Sequence, residues 1–375
     1  MDHKNKNIAF GSTPIINNFY WSSALNQSGY NTKTIMFDTP TFITDKISWD
    51  IKIKFKISEN KLLHSFFKIN TGIHAIFLFF KYLLKFDIFV ISFDGFLIGK
   101  IPIAWRFQAY LFKFFGKKSI VIPYGGDSYI YDQVRSKALQ VGLMRSYPMS
   151  EKQQRNIIKR VNYWKKHASI ILPGFMCADI FQDGEIFSLE KKQRIPSPLV
   201  IDVVTWKSKR HSLKDGDIIQ IAHMPNHRGF KGTEKIIEIV TELEKEGFNF
   251  KFSLIEGLSN EEVKILLKER IHILIDQVNF IGYGMNAIEG MANSCVVLAN
   301  ISDSRYTHMY SSTYLDMCPI ISINELTLKT ELKKIMLNYE KINEISYLSR
   351  KYVENYHSYN YFANVFKEVE NFLYK

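Results

Sequence analysis

Short apolar runs alternate with segments of helical periodicity along almost the whole chain, and this alternation constrains the fold more than any other feature. The run IFVISF, for example, lies between Asp87 and Asp94, which is the pattern of a strand buried on both faces. Strands that alternate with helices form parallel sheets covered by helices. The sequence therefore predicts an α/β protein, and its 375 residues suffice for two domains with separate cores.

The first half of the chain shows this alternation around an irregular stretch, or a set of short strands, over residues 41–60. We expect strands over residues 8–10, 34–37, 88–93, 119–122 and 169–172. We expect helices over residues 14–27, 62–86, 103–115 and 151–167, the second of them broken near Thr71-Gly72. Ligands on sheets of this kind bind at the C-terminal ends of the strands.

The second half repeats the alternation after a charged, proline-containing stretch over residues 190–217, which marks a domain boundary. We expect strands over residues 218–222, 251–255, 272–275 and 296–299, helices that begin at Thr233, Asn260 and Asn286, and a helical tail over residues 326–375. The sequence thus predicts one α/β domain with a parallel sheet over residues 1–200, a second over residues 201–350, and a C-terminal helix over residues 351–375 that packs back on the first domain.

Positive charge is concentrated in the first half. Residues 1–200 carry 28 Lys and Arg against 14 Asp and Glu, whereas residues 201–375 carry 21 against 23. A basic half fits nucleic acid or an anionic membrane surface. No nucleic-acid recognition motif accompanies it, and the cations are mixed with aromatic residues in HSFFKINTGIHAIFLFFKYLLKF and IAWRFQAYLFKFFGKK. We therefore expect these segments, though mostly core, to place the first domain on anionic lipid.

Targeting features are few. The N-terminal residues lack the apolar core of a signal peptide, and the longest uncharged apolar run, Ile69 to Phe80, is twelve residues, whereas a membrane span needs about 20. The three cysteines, Cys177, Cys295 and Cys318, are far apart, which predicts no zinc site and a reducing compartment. We expect a cytoplasmic protein, peripheral on the inner face of the membrane.

Residues 218–300 carry the strongest functional pattern. An apolar run leads into a loop with Arg228 and Lys231, and a later strand leads through the Gly282–Gly284 turn into a helix that contains Glu289. Two cations before one helix and a carboxylate in another suit a nucleoside diphosphate, because cations and backbone amides bind phosphates and a carboxylate accepts hydrogen bonds from ribose. A nucleotide sugar is thus the expected co-substrate, with no other cofactor and no metal.

Three positions in the first half follow predicted strands. Gly11 either lets the backbone approach phosphate or acceptor, or forms an ordinary turn. Tyr124 and Asp127, in YGGD, either orient acceptor or donor sugar as catalytic residues or cap the local chain.

Two further patterns each have both a functional interpretation and a purely structural one. His223 is a candidate for the donor site, but Pro225 separates it from His227, so the pair is not a helical metal site. Asp215-Gly216-Asp217 spells DxD, a metal signature of another glycosyltransferase fold, yet its charged surroundings predict a turn.

The pattern in residues 218–300 resembles the retaining family-4 glycosyltransferases of the GT-B fold, in which two Rossmann-like domains with parallel sheets face a central cleft. In that family an Arg and a Lys grip the donor diphosphate, and a glutamate in EAM-like sequence binds the ribose. A glycine-rich turn lies under the diphosphate or sugar. The matching residues are Arg228 and Lys231 in HRGFKGT, Glu289 in AIEGMA, and Gly282, Tyr283 and Gly284. The resemblance is loose outside this region and implies that the first domain binds the acceptor.

Two positions depart from the family. Ile281 stands where a second glutamate is usual, and Asp276 and Gln277 are the polar residues that could contact the donor instead. Tyr124 stands where many members have His before Gly-x-Asp. The resemblance therefore leaves the donor sugar and the stereochemical outcome open.

Together with these residues, the resemblance implies a metal-independent glycosyltransferase that acts on a glycan, either free or lipid-linked, in bacterial surface polysaccharide synthesis. Two alternatives remain: a non-catalytic subunit of the same fold that binds glycan or a partner, and a sugar-nucleotide epimerase, which would need no acceptor.

Overall fold

The computed structural model describes residues 6–37, 47–54, 61–134, 136–172, 199–208, 212–301 and 317–374. Its contacts divide the chain into two compact units. Unit 1 comprises Met1–Ile130, Gln153–Ser197 and Phe362–Lys375, and unit 2 comprises Tyr131–Lys152 and Pro198–Tyr361. Residues 131–152 pack with unit 2, although the predicted division placed them in the first domain, and residues 362–375 pack with unit 1.

Unit 1 is built on a parallel sheet. Its strands are β1 (Asn7–Ser12), β2 (Asn31–Phe37), β3 (Ile51–Ile53), β4 (Ile88–Ile91), β5 (Lys118–Val121) and β6 (Ile170–Ile171). They lie in the order β3-β2-β1-β4-β5-β6, and every neighbouring pair is parallel. The fully buried side chains of β4 agree with the apolar run that predicted it.

The helices along this part of the chain are α1 (Ile16–Gln27), α2 (Lys61–Lys85), α3 (Gln108–Phe114), α4 (Lys137–Ser146) and α5 (Pro148–His167). The crossovers through α2 and α3 run in the same direction across the sheet, so right-handed connections place both helices on one face. Phe79 of α2 and Phe112 of α3 pack with ring centroids 5.9 Å apart, and Phe112 stacks on Phe89 of β4 at 4.6 Å.

The predicted break in α2 is wrong, because the helix runs through Thr71 and Gly72 without interruption. A glycine in a helix interior costs about 1 kcal/mol relative to alanine. Ala75, Phe79 and Leu83 recur at a spacing of four residues and are all buried. Burial of large apolar side chains is worth about 1.5–3 kcal/mol each, so this packing outweighs the glycine.

Unit 2 contains a second parallel sheet. Its strands are β7 (Ile219–His223), β8 (Phe250–Leu254), β9 (Ile273–Ile281), β10 (Val296–Asn300) and β11 (Ile321–Ser322). They lie in the order β11-β10-β9-β7-β8, again with parallel neighbours. β9 is longer than predicted, because it continues past Ile275 through register shifts against β10 that carry it across Asp276 and Gln277.

The remaining helices are α6 (Arg228–Lys231), α7 (Thr233–Lys245), α8 (Asn260–Arg270), α9 (Met285–Ala292), α10 (Leu328–Met336), α11 (Tyr339–Tyr356) and α12 (Tyr359–Leu373). The apolar residues of α7 recur on one face, and Ile236, Ile239, Val240 and Leu243 are buried in the core of unit 2. The last part of α12 belongs to unit 1, where Tyr30 donates a hydrogen bond to Glu370 Oε2 at 2.7 Å.

Helix α4, which we did not predict, packs directly against α6 within unit 2. A Cβ added to Gly142 would lie 2.3 Å from the carbonyl oxygen of Gly229, so the two backbones touch where both residues lack side chains. Ser146 Oγ accepts a hydrogen bond from the Phe230 amide at 2.9 Å. The segment 131–152 thus supports the loop that carries the predicted cations.

Among the described residues, no helix combines the length and apolar character that a membrane crossing requires.

Candidate functional site

The residues predicted to bind a nucleotide from the second half of the chain come together at the C-terminal end of β7 in unit 2. After β7, the chain enters α6, which begins at Arg228 and ends at Lys231. Asn286, in the first turn of α9, donates hydrogen bonds to the Met224 carbonyl at 3.2 Å and to Asp276 Oδ1 at 3.4 Å. Hydrogen bonds therefore connect the polar side chains at the edge formed by β7, β9 and α9. Parallel sheets bind ligands at this edge.

Arg228 lies at the surface of this edge with its side chain 41% exposed. Its Nε and Nη2 donate to the two carboxylate oxygens of Glu234 at 2.8 and 3.2 Å, and its Nη1 donates to Glu256 at 2.9 Å. A guanidinium has five N–H donors, so two donors remain for a ligand. The two carboxylates hold the side chain at the mouth of the site.

Lys231 is enclosed, with its side chain only 7% exposed. Its ammonium group donates to Asp276 Oδ1 at 2.6 Å and to Gln277 Oε1 at 2.7 Å. An ammonium group has three donors, so one remains. Gln277 also donates to the Gly282 carbonyl at 2.7 Å and thereby links the cation to the glycine-rich turn.

Asp276 is fully buried, and its second oxygen, Oδ2, has no hydrogen-bond partner among the residues that the structure describes. Buried carboxylate oxygens are normally satisfied. Asp276 was predicted to contact the donor, and its Oδ2 is an acceptor atom available for such a contact. Gln277 was predicted to do the same, but both its amide oxygen and its amide nitrogen already have partners within the site.

Glu289 lies in α9 and is almost fully buried. Asn260, the first residue of α8, donates to its Oε1 at 2.9 Å. Burial, followed by the nearby Asp276 charge, raises the pKa of Glu289 to about 7, against the opposing effects of Asn260 and Lys231. The carboxyl thus changes its charge near neutral pH and responds to both members of the Lys231–Asp276 pair.

The glycine-rich turn has an open side and a filled side. Gly282 has φ +108°, which favours glycine, and a Cβ at Gly284 would meet nothing within 4 Å. The Tyr283 ring is buried instead, with its hydroxyl 3.0 Å from Tyr352 and 3.1 Å from His357. Only the backbone of Tyr283 is therefore suited to the predicted ligand contact.

His223 does not face a ligand, which corrects the role predicted for it. The ring is buried, with Nδ1 2.7 Å from the Ile275 carbonyl and Nε2 2.8 Å from Thr233 Oγ1. Burial lowers its pKa to about 4, so the neutral ring donates to the carbonyl and accepts from the hydroxyl. His223 fixes the start of α7 and hence the end of the cation loop.

In unit 1, Asp127 holds a loop together. Its Oδ2 accepts from the Phe93 amide at 2.8 Å, and its Oδ1 accepts from the amides of Tyr124 and Gly125 at 3.0 and 3.1 Å. Because both oxygens are occupied by backbone, the capping alternative explains Asp127. Burial raises its pKa to about 7.

Tyr124 belongs to a group of interacting polar side chains that the sequence did not reveal. Its hydroxyl donates to Asp94 Oδ2 at 3.0 Å, and Asp94 also pairs with Arg160 at 2.9 Å and with Lys100 at 3.1 Å. Asp94 follows β4 and Tyr124 follows β5, so this group lies at the C-terminal edge of the first sheet. Its members are separated by up to 66 residues, which is why no local motif marks them.

Gly11 lies inside β1, where a Cβ would come within 2.1 Å of the Ile35 carbonyl oxygen. Close packing against β2 therefore accounts for glycine at this position, and a ligand contact there stays a prediction.

The segment Asp215-Gly216-Asp217 forms the expected turn. The Lys214 amide donates to Asp217 Oδ2 at 2.8 Å, and Gly216 has φ +91°. Among the described residues, no cluster of three or more His, Cys, Asp or Glu is arranged to hold a metal ion.

Comparisons with known proteins find relatives by structure alone. No protein-family model matches the chain, and no curated protein matches its sequence. HepE of Anabaena, in complex with UDP, aligns over 98% of this chain and 99% of its own, with a TM-score of 0.58 and 9% identity. A glycosyltransferase from Rickettsia africae aligns over 98% of both chains, with a TM-score of 0.52 and 14% identity.

A Listeria monocytogenes protein assigned as a UDP-N-acetylglucosamine 2-epimerase aligns over 96% of this chain and 94% of its own, with a TM-score of 0.51 and 12% identity. At these identities the likeness concerns the fold. It confirms the predicted α/β class of the GT-B type, with two Rossmann-like parallel sheets, and this fold is shared by a protein described as a glycosyltransferase and by one described as an epimerase.

Proposed function

We propose that this protein is a glycosyltransferase that moves a sugar from a nucleotide donor to a hydroxyl group of a glycan. The observation that carries the proposal is the polar group at the edge of β7 and β9. There Lys231 pairs with Asp276, both residues act on the pKa of Glu289, and Arg228 lies at the entrance. Such a group offers cations to a diphosphate and a carboxyl to a ribose.

The cations would act on the leaving group. Negative charge builds on the diphosphate as its bond to the sugar breaks, and fixed cations stabilise that charge in the transition state. Arg228 has two free donors and Lys231 one, so the diphosphate can be held without displacing their present partners. In this scheme the two side chains take the part that a metal ion plays in other transferases.

The ribose would bind at Glu289 in α9, the helix that begins directly after the Gly282–Gly284 turn. The open space at Gly284 allows the donor to approach the backbone there. The buried Oδ2 of Asp276 is available for a hydroxyl of the donor sugar or for a water that bridges to it. The retaining outcome belongs to the family resemblance, and we adopt it on that basis.

The acceptor would bind to unit 1. The group of Ser92, Asp94, Tyr124 and Arg160 lies at the C-terminal edge of the first sheet, and its carboxylate, hydroxyls and guanidinium are suited to the hydroxyl groups of a glycan. Tyr124 and Asp127 then act by shaping this edge.

An amphipathic surface on unit 1 supports a membrane location. On α2, Ile73, Phe77, Phe80 and Leu84 are exposed at spacings of four, three and four residues. On the segment that leads into and through α3, Ile103, Phe107, Tyr110 and Phe114 are exposed at the same spacings. Exposed apolar stripes of this length are unusual on a protein surrounded by water.

Exposed cations follow both stripes along the chain: Lys81 and Lys85 in the first, and Arg106 and Lys113 in the second. Each cation near an anionic bilayer contributes about 1 kcal/mol of attraction. We therefore place the enzyme on the cytoplasmic face of a bacterial membrane, where a lipid-linked acceptor in polysaccharide synthesis would be available.

The direct test is an assay of donor turnover. UDP-, GDP-, dTDP-, ADP- and CMP-linked sugars are incubated with lipid-linked and free glycan acceptors, and the released nucleotide and glycosylated product are quantified. We expect one donor to react only when an acceptor is present, and Arg228→Ala to abolish this reaction. Arg270→Ala, which removes an exposed arginine of the same unit at the far end of α8, serves as the matched control.

The two alternatives give different results. Isomerisation of a sugar nucleotide without any acceptor would establish the epimerase, whose fold the Listeria protein shares. A chain that binds glycan but neither binds nor turns over any donor would establish the non-catalytic subunit and would refute the proposal.

A further inference from the structure

Three cationic side chains lie in α6 or in the helix packed against it, and they differ in their ion-pair partners. Arg228 is paired with Glu234 and Glu256, and Lys231 is paired with Asp276. The third is Arg145, in the last turn of α4. Arg145 is exposed, and within the described part of the chain it has no hydrogen-bond or ion-pair partner.

The packing of α4 places Arg145 beside the loop. A Cβ at Gly229, the residue next to Arg228, would lie 3.1 Å from the Cβ of Arg145 and 2.8 Å from the Gly142 carbonyl oxygen. Ser146, which follows Arg145, accepts the amide of Phe230. The backbone of α4 is therefore fixed against α6 on both sides of Arg145, so the base of this side chain is held in place.

The charge of Arg145 is felt at the same loop. It helps to lower the pKa of Glu234, for which Arg228 is the larger cause. The charges of Arg145 and Arg228 thus both act on one carboxylate, that of Glu234. Glu234 and Glu256 pair with Arg228, and Asp276 pairs with Lys231, so these three carboxylates already have cationic partners.

We propose that Arg145 is a third cation of the donor site and binds the diphosphate together with Arg228, an inference that rests on the proposed function. Arg145 has no ion-pair partner among the described residues, so its guanidinium is free to contact an anion. A guanidinium forms paired hydrogen bonds with phosphate oxygens. The segment 131–152, although it interrupts the sequence of unit 1, would thereby complete the nucleotide site of unit 2.

The test measures binding by isothermal titration calorimetry. UDP, GDP, dTDP and ADP and their four nucleosides are titrated into the wild-type chain and into Arg145→Ala, Arg145→Lys, Arg228→Ala and Arg270→Ala. For the diphosphate that binds, we expect Arg145→Ala to raise Kd at least about tenfold, as loss of a hydrogen bond between charged groups predicts. We expect Arg145→Lys to recover part of the loss and Arg270→Ala to match the wild type.

The nucleoside controls separate a charge contact from a structural role. A nucleoside lacks the diphosphate, so its Kd should be the same for Arg145→Ala and the wild type. Equal losses for nucleoside and diphosphate would mean that the variant damages the loop, and this would overturn the inference. Diphosphate binding that is unchanged in Arg145→Ala but lost in Arg228→Ala would overturn it while leaving the proposed function intact. Wild-type protein that binds none of the four diphosphates would overturn both.

Discussion

Arg228 and Lys231 are three residues apart, yet their surroundings give them different structural roles. Arg228 is half-exposed and its ion pairs are in contact with water, whereas Lys231 and Asp276 form a buried pair. An exposed ion pair contributes about 1 kcal/mol or less. Removing one member of a buried pair costs about 3–5 kcal/mol, because the other charge is left buried alone.

We therefore expect Arg228→Ala to change the free energy of unfolding by less than about 1 kcal/mol and Lys231→Met to lower it by about 3–5 kcal/mol. Urea unfolding monitored by circular dichroism measures both. The double variant Lys231→Met/Asp276→Leu removes both charges and should recover much of the loss. Equal destabilisation by the two single variants would contradict the buried pair.

Glu289 gives the site a pH dependence. Its pKa is raised to about 7, mainly by burial, with Asp276 of β9 adding to the shift and Asn260 of α8 and Lys231 of α6 opposing it. The ionised carboxylate is the form that accepts hydrogen bonds from both ribose hydroxyls. Below about pH 7 the free protein carries a proton that binding must expel, so affinity falls by up to about tenfold per pH unit.

We expect the Kd of the preferred nucleoside diphosphate to rise as the pH is lowered from 8 to 5.5. Glu289→Gln should bind more weakly at pH 8 and lose this part of the dependence, while protonation of the phosphate affects both proteins alike. Calorimetric titration across the pH range measures the difference. Parallel pH profiles for the two proteins would rule out Glu289 as the ribose ligand.

The residues proposed to bind the nucleotide are recognisable from sequence because they lie in short segments next to strands, as Arg228, Lys231 and Glu289 do. Asp94, Arg160 and Arg145 are not, because they meet their partners through the fold and carry no local pattern. His223 was predicted to face a ligand because sequence shows the residue type but not its burial.

At the scale of elements, two helices that contain a glycine were predicted incorrectly, each for a different reason. Gly72 was expected to break α2, but the helix passes through it, and a Cβ there would meet nothing within 4 Å. Gly142 lies in α4, which went unpredicted, and its missing side chain is what lets α4 contact α6. Strands with continuous apolar runs were predictable, whereas an element stabilised mainly by its partner was not.

The two glycines make a matched pair of substitutions. Gly72→Ala should stabilise the protein by about 0.5–1 kcal/mol, because alanine is the better helix former and the space is open. Gly142→Ala should destabilise it and weaken diphosphate binding, because the new Cβ would lie 2.3 Å from the Gly229 carbonyl and push α4 from the loop. Thermal unfolding and calorimetry test both, and a neutral Gly142→Ala would contradict the close contact.

At the scale of the whole molecule, the exposed stripes of unit 1 predict binding to anionic vesicles. We expect the wild-type protein to float with vesicles that contain phosphatidylglycerol at low salt and to be released by high salt, since the Debye length falls to about 3 Å at 1 M. Phe77→Ser/Phe114→Ser should reduce flotation. Leu326→Ser, which alters a highly exposed leucine of unit 2, should not.

Protein that stays at the bottom of the gradient at low salt, or equal loss of flotation in both variants, would contradict a docking surface on unit 1. Both substituted phenylalanines are exposed, so the variant is expected to fold normally.

The division of the molecule into two α/β units was predictable because alternation of strands and helices is visible everywhere in the chain. The membership of residues 131–152 was not, since it depends on the contact between Gly142 and Gly229, 87 positions apart in sequence. Segments 41–46, 55–60 and 190–198, where the sequence pattern was irregular, lie outside the described residues.

The most direct measurement is a crystal structure of the protein with the intact donor, or its nucleoside diphosphate, bound. We expect the diphosphate within hydrogen-bonding distance, about 2.7–3.2 Å, of Arg228 and Lys231, and the ribose hydroxyls on Glu289. A nucleotide bound elsewhere, with these three side chains in their present pairings, would contradict the account.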